Sequence, residues 1–492
     1  MRHCGCHIEQ CLWKDGADLP YDKLNTYLQP TYLLATFSPT KNIAHCMKPY
    51  KKLFAVALLA IASAGPFLPT EAAAATLNAL AGPSSMSAGV SFVARDTIAP
   101  DTLPDMLSSD QSAITPTLSS IPNDSTTAAI VKRLQALMEN TIFDRTQVGI
   151  YVYDLTADAP IFAHGEHQQL RPASCEKLVT AISALYHLGT DYRYATTLSI
   201  DGEITDSVLH GDVYLRGGFD PLFDRSDLLQ LVDALHSNGI RHIAGHVYFD
   251  RSLKDTTAMG WGWCWDDDTT PLTPLLYERS AGLEQHFLAA LRQDSLCDAS
   301  EIRYAETPRR AVSLAQRMHT IDQILLPMMK KSDNLFAESL FYQMAAQSGH
   351  PYADHKRGSR LVSQFLGHIG ISSTTYQVAD GSGLSLYNYL TPQLLVTALR
   401  YAYRDERIYR HLLPSLPIAG EDGTLQRRMT FGAVRGNVRA KTGTVEGVSS
   451  LAGYLTAPNG HTFCFAIINQ GIRHTSTGRN FQDRVCRAMT EE

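Results

Sequence analysis

Three short polar clusters, each at the edge of an apolar segment, constrain what this 492-residue chain can fold into. The first lies in RPASCEKLVTAISALYHLG, residues 171–189, where Ser174 and Lys177 stand three positions apart at the start of a helical pattern. Side chains at i and i+3 share one helical face, with Cβ atoms about 5–6 Å apart. Pro172 and Ser174 suit the approach and first turn, and Gly189 suits a C-terminal stop. Leu178, Ala181, Leu185 and Leu188 recur at helical spacing, so one side of this helix is expected to be buried. A lysine carried into such low-dielectric surroundings loses basicity and can act as a base near neutral pH. The second cluster is Ser332-Asp333-Asn334 in KKSDN, at a break between helical segments. The third is Lys441-Thr442-Gly443-Thr444 in AKTGT, at the end of an expected strand.

Each cluster alone has an ordinary reading: a capped core helix, a second helix cap, a turn. The S-x-x-K pattern recurs at Ser38–Lys41, with Pro39 inside it and no apolar helix behind. The three clusters in this order are far more specific, because together they form the set found in penicillin-binding proteins and class A β-lactamases. Four further segments extend the likeness: LRGGFDPLF at 215–223, GWGWCWDD at 260–267, DGSGLSLYNYLTP at 380–392 and LPIAGEDGTLQRR at 416–428. Over roughly residues 126–488 the chain resembles the D-alanyl-D-alanine carboxypeptidase/endopeptidase family, the low-molecular-mass class C penicillin-binding proteins of peptidase family S13.

The resemblance implies an α+β fold of the penicillin-binding-protein/serine β-lactamase-like transpeptidase type. That is an antiparallel sheet flanked by helices, with an all-helical part and a small α+β insert domain. Helical periodicity from Ala128, alternation over 148–155, and strand, turn, strand, turn, strand over 436–471 with a Pro458-Asn459-Gly460 hairpin fit a sheet covered by both chain ends. Short strand-like runs and one helix near 226–237 place the insert at 196–276, leaving 126–195 and 277–492 for the main domain. The segments 283–293 and 311–334 carry helical patterning. The stretch between the first two clusters is shorter than in the family's larger members, which implies that one accessory subdomain is missing or reduced.

Serine, lysine and hydroxyl groups in this pattern support acyl transfer through a serine ester. By residue chemistry and resemblance, Ser174 is the nucleophile and Lys177 its base, helped by burial and by the nearby Lys441 cation. Ser332 relays a proton to the leaving amine, and Asn334 holds Lys177 and the substrate amide. The resemblance implies an oxyanion site from the backbone N–H groups of Ser174 and Thr444. Gly443, lacking a Cβ, lets a peptide lie along the strand edge, while Lys441, Thr442 and Thr444 face a terminal carboxylate such as that of D-Ala-D-Ala. Asp380, Gly381 and Ser382 are expected to form a wall of the site. Trp261 and Trp263 are equally readable as an aromatic lip or as core.

No cofactor or metal is expected. His164 to His167 (HGEH) lacks a third ligand set, and Asp266, Asp267 and Asp268 lack the spacing of a calcium loop. Cys4, Cys6 and Cys11 have no matching second cluster for zinc. Cys175 has no histidine placed to activate it and is read as a small buried hydrophobe. A formal net charge of −6 and the absence of a basic run give no reason to expect nucleic acid.

Residues 47–75 pattern as a secretory signal peptide: Lys48, Lys51 and Lys52, an apolar core over 53–64, then Ala72 to Ala75. Translation is therefore expected to start at Met47, with 1–46 an over-extended start, and 76–125, rich in Ser, Thr and Pro, a flexible linker. The expectation is a periplasmic, penicillin-binding serine carboxypeptidase acting on peptidoglycan stem peptides, with β-lactams as covalent inhibitors. Endopeptidase activity and a loose association with the inner membrane or wall stay open. The alternatives are a β-lactamase of the same fold and a non-catalytic wall-binding scaffold.

Overall fold

The computed structural model describes residues 124–267 and 269–492, so the expectations for 1–46, 47–75 and most of 76–125, and the Asp268 candidate, lie outside the described residues. Asp124 caps helix α1 (Ser125–Leu137), accepting from the amides of Thr126 and Thr127. Strands β1 (Gln147–Asp154) and β2 (Ala159–His164) follow, then a 3₁₀ turn (Ala173–Cys175) leading into α2 (Glu176–Leu188).

Strands β3 (Arg193–Thr205) and β4 (Val208–Arg216), helix α3 (Arg225–Ser237) and the short strands β5 (His242–Ile243) and β6 (Val247–Asp250) begin a separate sheet. A hairpin of β7 (Leu276–Tyr277) and β8 (Ser280–Ala281) precedes α4 (Leu283–Gln293), β9 (Arg303–Tyr304) and β10 (Val312–Thr320). The sheet has the order β10-β3-β4-β6-β9, with β5 also on β4. Helices α3 and α4 bury Leu231, Leu235, Phe287 and Leu291 against Phe249 and Val213 in its own core.

This module therefore runs on to Thr320 rather than closing at 276, and the main domain resumes at Ile321. Two physical facts moved the boundary. Helix α4 buries its apolar stripe in the module's core, and residues 312–320 form an edge strand paired antiparallel with β3 rather than continuing a helix. Because most of β10 is half-exposed, its sequence lacks the alternation that marks a strand with one buried face.

The main domain continues with α5 (Ile321–Lys330), α6 (Asn334–Ala346), α7 (His355–His368), α8 (Pro392–Arg404) and α9 (Glu406–Ser415). It ends with β11 (Arg439–Val445), β12 (Val448–Thr456), β13 (Thr462–Gln470) and α10 (Thr475–Thr490). Its sheet is fully antiparallel, in the order β11-β12-β13-β1-β2. Successive side chains of a strand point to opposite faces. Ile150 and Val152 accordingly enter a core with α1 and α10, while Tyr151 and Tyr153 enter another with α2 and α5–α9. Helices on both faces explain why β13 reads as an unbroken apolar run and why the chain ends cover one face. Among the described residues no helix is long and apolar enough to cross a membrane.

Candidate active site

The 3₁₀ turn carries Ser174 to the seam between α2 and the sheet edge. Ala173 adopts φ 46°, a left-handed conformation that costs a non-glycine residue energy and recurs at functional sites. One turn on, Lys177 is fully buried. Its Nζ donates to Ser174 Oγ at 2.9 Å, Asn334 Oδ1 at 2.8 Å and the Ser382 carbonyl at 2.7 Å. Three acceptors hold the amine in one place, and burial, the dominant cause, brings its pKa down to about 8. About a tenth of the amine is neutral at pH 7 and more as pH rises, so an amine able to accept the Ser174 proton sits within hydrogen-bond reach of it.

The second cluster closes the far side. Helix α5 ends at Lys330, Ser332 takes φ 59°, and Asp333 caps α6 through the Leu335 amide at 3.1 Å. That cap turns Asn334, the first residue of α6, toward Lys177. Lys441, fully buried on β11, donates to Ser332 Oγ at 2.7 Å. Burial and then the Lys177 charge hold the Lys441 pKa well below its ordinary value. The three clusters thus meet through hydrogen bonds that join Ser174, Lys177 and Asn334 on one side and Ser332 and Lys441 on the other.

Strand β11 is the sheet's edge, laddered to β12 and bridged on its outer side by Ile418 at Arg439. A Cβ on Gly443 would stand 2.6 Å from the Pro172 carbonyl and 3.0 Å from the Ser174 amide, so only glycine lets the strand approach the nucleophile turn this closely. Thr442 donates to Thr424 Oγ1 at 2.7 Å, and exposed Thr444 accepts from Arg479 at 3.3 Å.

Asp380, Gly381 and Ser382 reach the site from below rather than as an open wall, because all three are buried. The Asp380 carboxylate accepts from the amides of Gly383 and Ser385, the Asn388 amide group, the Ser382 hydroxyl and the Trp263 indole, at 2.7 to 3.2 Å. It shapes the loop that presents the Ser382 carbonyl to Lys177. Gly381 donates its N–H to Glu338 and accepts from Thr180.

Sequence reasoning left out several residues around this centre. Glu338, buried on α6, has its carboxyl pushed up to about 8 by burial and by the Asp380 charge. Glu176, beside Lys177, is fully buried with both oxygens unpartnered, and its pKa is raised well above the carboxylate range. Arg279 pairs with Asp333 at 2.6 Å beside the Asn334 turn. Thr424 lies within LPIAGEDGTLQRR, and Trp263 resolves as a buttress of Asp380. Cys175 is buried, donates to the Lys441 carbonyl at 3.2 Å and has its thiol pKa raised by burial.

The chain is 26% identical over 418 residues to D-alanyl-D-alanine carboxypeptidase DacB of Haemophilus influenzae, spanning 68% of this chain and 86% of that protein. It is 24% identical over 434 residues to a D-alanyl-D-alanine carboxypeptidase of an Actinomadura species, spanning 69% and 80%. The fold matches the crystal structure of penicillin-binding protein 4 (dacB) from Haemophilus influenzae with a TM-score of 0.64 at 24% identity, over 73% of this chain and 97% of that one. The D-Ala-D-Ala carboxypeptidase 3 (S13) family matches residues 130–276 and 271–491, and the chain belongs to that family.

Proposed function

We propose that the protein is an exported serine D-Ala-D-Ala carboxypeptidase that trims peptidoglycan stem peptides through an acyl-enzyme on Ser174. The observation that carries this reading is the buried Lys177 amine 2.9 Å from Ser174 Oγ, with its basicity lowered to about 8. Lys177 takes the hydroxyl proton as Ser174 Oγ attacks the penultimate D-Ala carbonyl. The oxyanion forms against the backbone N–H groups of Ser174 and Thr444, aided by the positive end of α2. Lys441, with its low proton affinity, passes a proton through Ser332 Oγ to the departing D-Ala amine. The C–N bond breaks and D-Ala leaves; the proton held by Lys177 replaces the one Lys441 gave up, and water then hydrolyses the ester with the neutral Lys177 again as base.

The substrate's terminal carboxylate lies against Thr442 and Thr444, with Arg479 adding a cation at the strand's end. A β-lactam closes the same ester by ring opening and leaves no amine to diffuse away, so its acyl-enzyme persists. A fluorescent penicillin should label the wild type on a single peptide containing Ser174, detected by mass. Ser174→Ala should show no labelling and no D-Ala release from a peptide ending in D-Ala-D-Ala. Retained labelling in Ser174→Ala would sink the assignment, and rapid turnover of a chromogenic cephalosporin would convert it into a β-lactamase.

A further inference from the structure

A turn at 260–263 separates two openings. On one side Trp263 lines the cleft of Ser332, Asn334 and Arg279. On the other, Trp261 lines a groove of about 1070 Å³ between the accessory module and the start of α7. This turn is fixed to the loop under the site. Gly262 has φ 81°, and a Cβ there would stand 2.4 Å from Ser385 Oγ, while Trp263 donates to Asp380 at 2.8 Å. The groove therefore lies next to the site cleft, on the other side of this one turn.

Its lining is aromatic and half-exposed in a particular way. Trp261, Tyr304 and Tyr352 are each 44 to 47% exposed. Each also has a flat cationic or imidazole group against its ring: His355 stacks on Trp261 at 5.5 Å, the Arg251 guanidinium lies 3.5 Å over Tyr304, and Arg357 lies 5.2 Å over Tyr352. A ring held from one side keeps its orientation while the remainder of its surface stays available, and such groups offer an apolar plane with polar edges. Exposed aromatic clusters of this kind mark ligand grooves. The charges around them are interleaved: Asp250, Asp255, Asp354 and Glu306 against Arg251, Lys254 and Lys356. With no single-sign field, the groove suits an uncharged ligand rich in hydroxyl and amide groups rather than a polyanion.

Together these features point to one occupant. We infer that the Trp261–Tyr304–Tyr352 groove binds the glycan strand that carries the stem peptide, a neutral polymer of N-acetylated amino sugars. Pyranose rings present apolar C–H faces to the aromatic planes, and their hydroxyls and acetamides meet Arg251, Lys356 and Asp354. The inference rests on the peptidase reading, because it is the attachment of peptide to glycan that brings sugar beside the site. It makes the enzyme a reader of polymer-linked peptide rather than of peptide alone.

The test uses the full chain and oligomers of N-acetylglucosamine. Titration of tryptophan fluorescence should show saturable binding in the wild type. In Tyr352→Ala and Tyr304→Ala, which keep every tryptophan, affinity should weaken about tenfold. The same variants should release D-Ala from a short soluble peptide at the wild-type rate while KM for glycan-linked stem peptides rises several-fold. No saturable binding in the wild type, or variants that keep both oligosaccharide affinity and polymer KM, would overturn the inference and leave the peptidase assignment standing. Oligosaccharide binding by a wild-type enzyme that cannot cleave the short peptide would instead overturn the peptidase reading.

Discussion

Beneath the Ser174 turn, Lys177, Lys441, Glu176 and Glu338 are all buried, and none has a one-to-one ion-pair partner. On the accessory sheet, by contrast, Arg310 clamps Asp201 with bonds of 2.8 Å, Arg317 bonds Asp227 at 2.8 Å, and His319 bonds Asp220 at 2.6 Å. Burial without pairing biases a group toward its neutral form, so lysines release protons more readily and carboxyls hold theirs more tightly. Pairing does the reverse and fixes each group in its charged form. One chain thus holds a region poised to exchange protons next to a region whose charges serve only geometry.

Removing the amine at the centre of the first region should have the largest effect. Lys177→Ala should slow acylation by a penicillin about 10²–10⁴-fold, the range typical of a lost general base, with the fold retained. Stopped-flow labelling measures it. An unchanged rate would mean that the buried amines are structural and the two regions do not differ in kind.

A subtler variant probes the carboxyl layer. The Glu338 charge favours the Lys177 ammonium, so removing it should lower the pH at which Lys177 becomes neutral. The acylation rate of the wild type should rise through an apparent pKa near 8, a property of the coupled Lys177, Lys441 and Glu338 set rather than of one residue. In Glu338→Gln, which keeps an acceptor for the Gly381 amide, the rising limb should move to lower pH. A profile over pH 6–10 decides it, and an upward shift would show that Glu338 supports the base by some route other than its charge.

How much of this was legible beforehand follows from where the information sits. The Ser174 helix and the Asn459–Gly460 hairpin are local: periodicity and turn chemistry specify them within a few residues. The three clusters were legible as a set, though their convergence depends on contacts that no local pattern encodes. Strand β10 carries a helical pattern in the sequence because its pairing with β3 bridges more than a hundred residues and its faces are mostly half-exposed. Asp380 is expected in a wall of the site, yet five donors fold around it and draw it inside. Glu176 and Glu338 resemble ordinary solvent-facing helix acids, and tertiary packing that includes the 381–383 loop buries them.

The smallest effect should come from the accessory module. His319 lies 2.6 Å from the buried Asp220 carboxylate, and that hydrogen bond, ahead of the negative charges of Asp220 and Asp227, raises the imidazole pKa above 6.5. A raised folded pKa means that the paired imidazolium stabilises fully below the unfolded value of about 6.5, and that this contribution fades as pH climbs through the folded one. His319→Gln should therefore lower the unfolding midpoint by a few degrees at pH 5.5, and by less at pH 8.5. Penicillin acylation should be nearly unchanged at both. If the variant lost acylation in proportion to stability, the module's ion pairs would be coupled to the Ser174 centre, since β10 runs straight into α5 and α5 ends two residues before Ser332. A pH-dependent stability change with constant acylation would separate the two regions, leaving the accessory sheet as a rigid support whose charges never enter the chemistry.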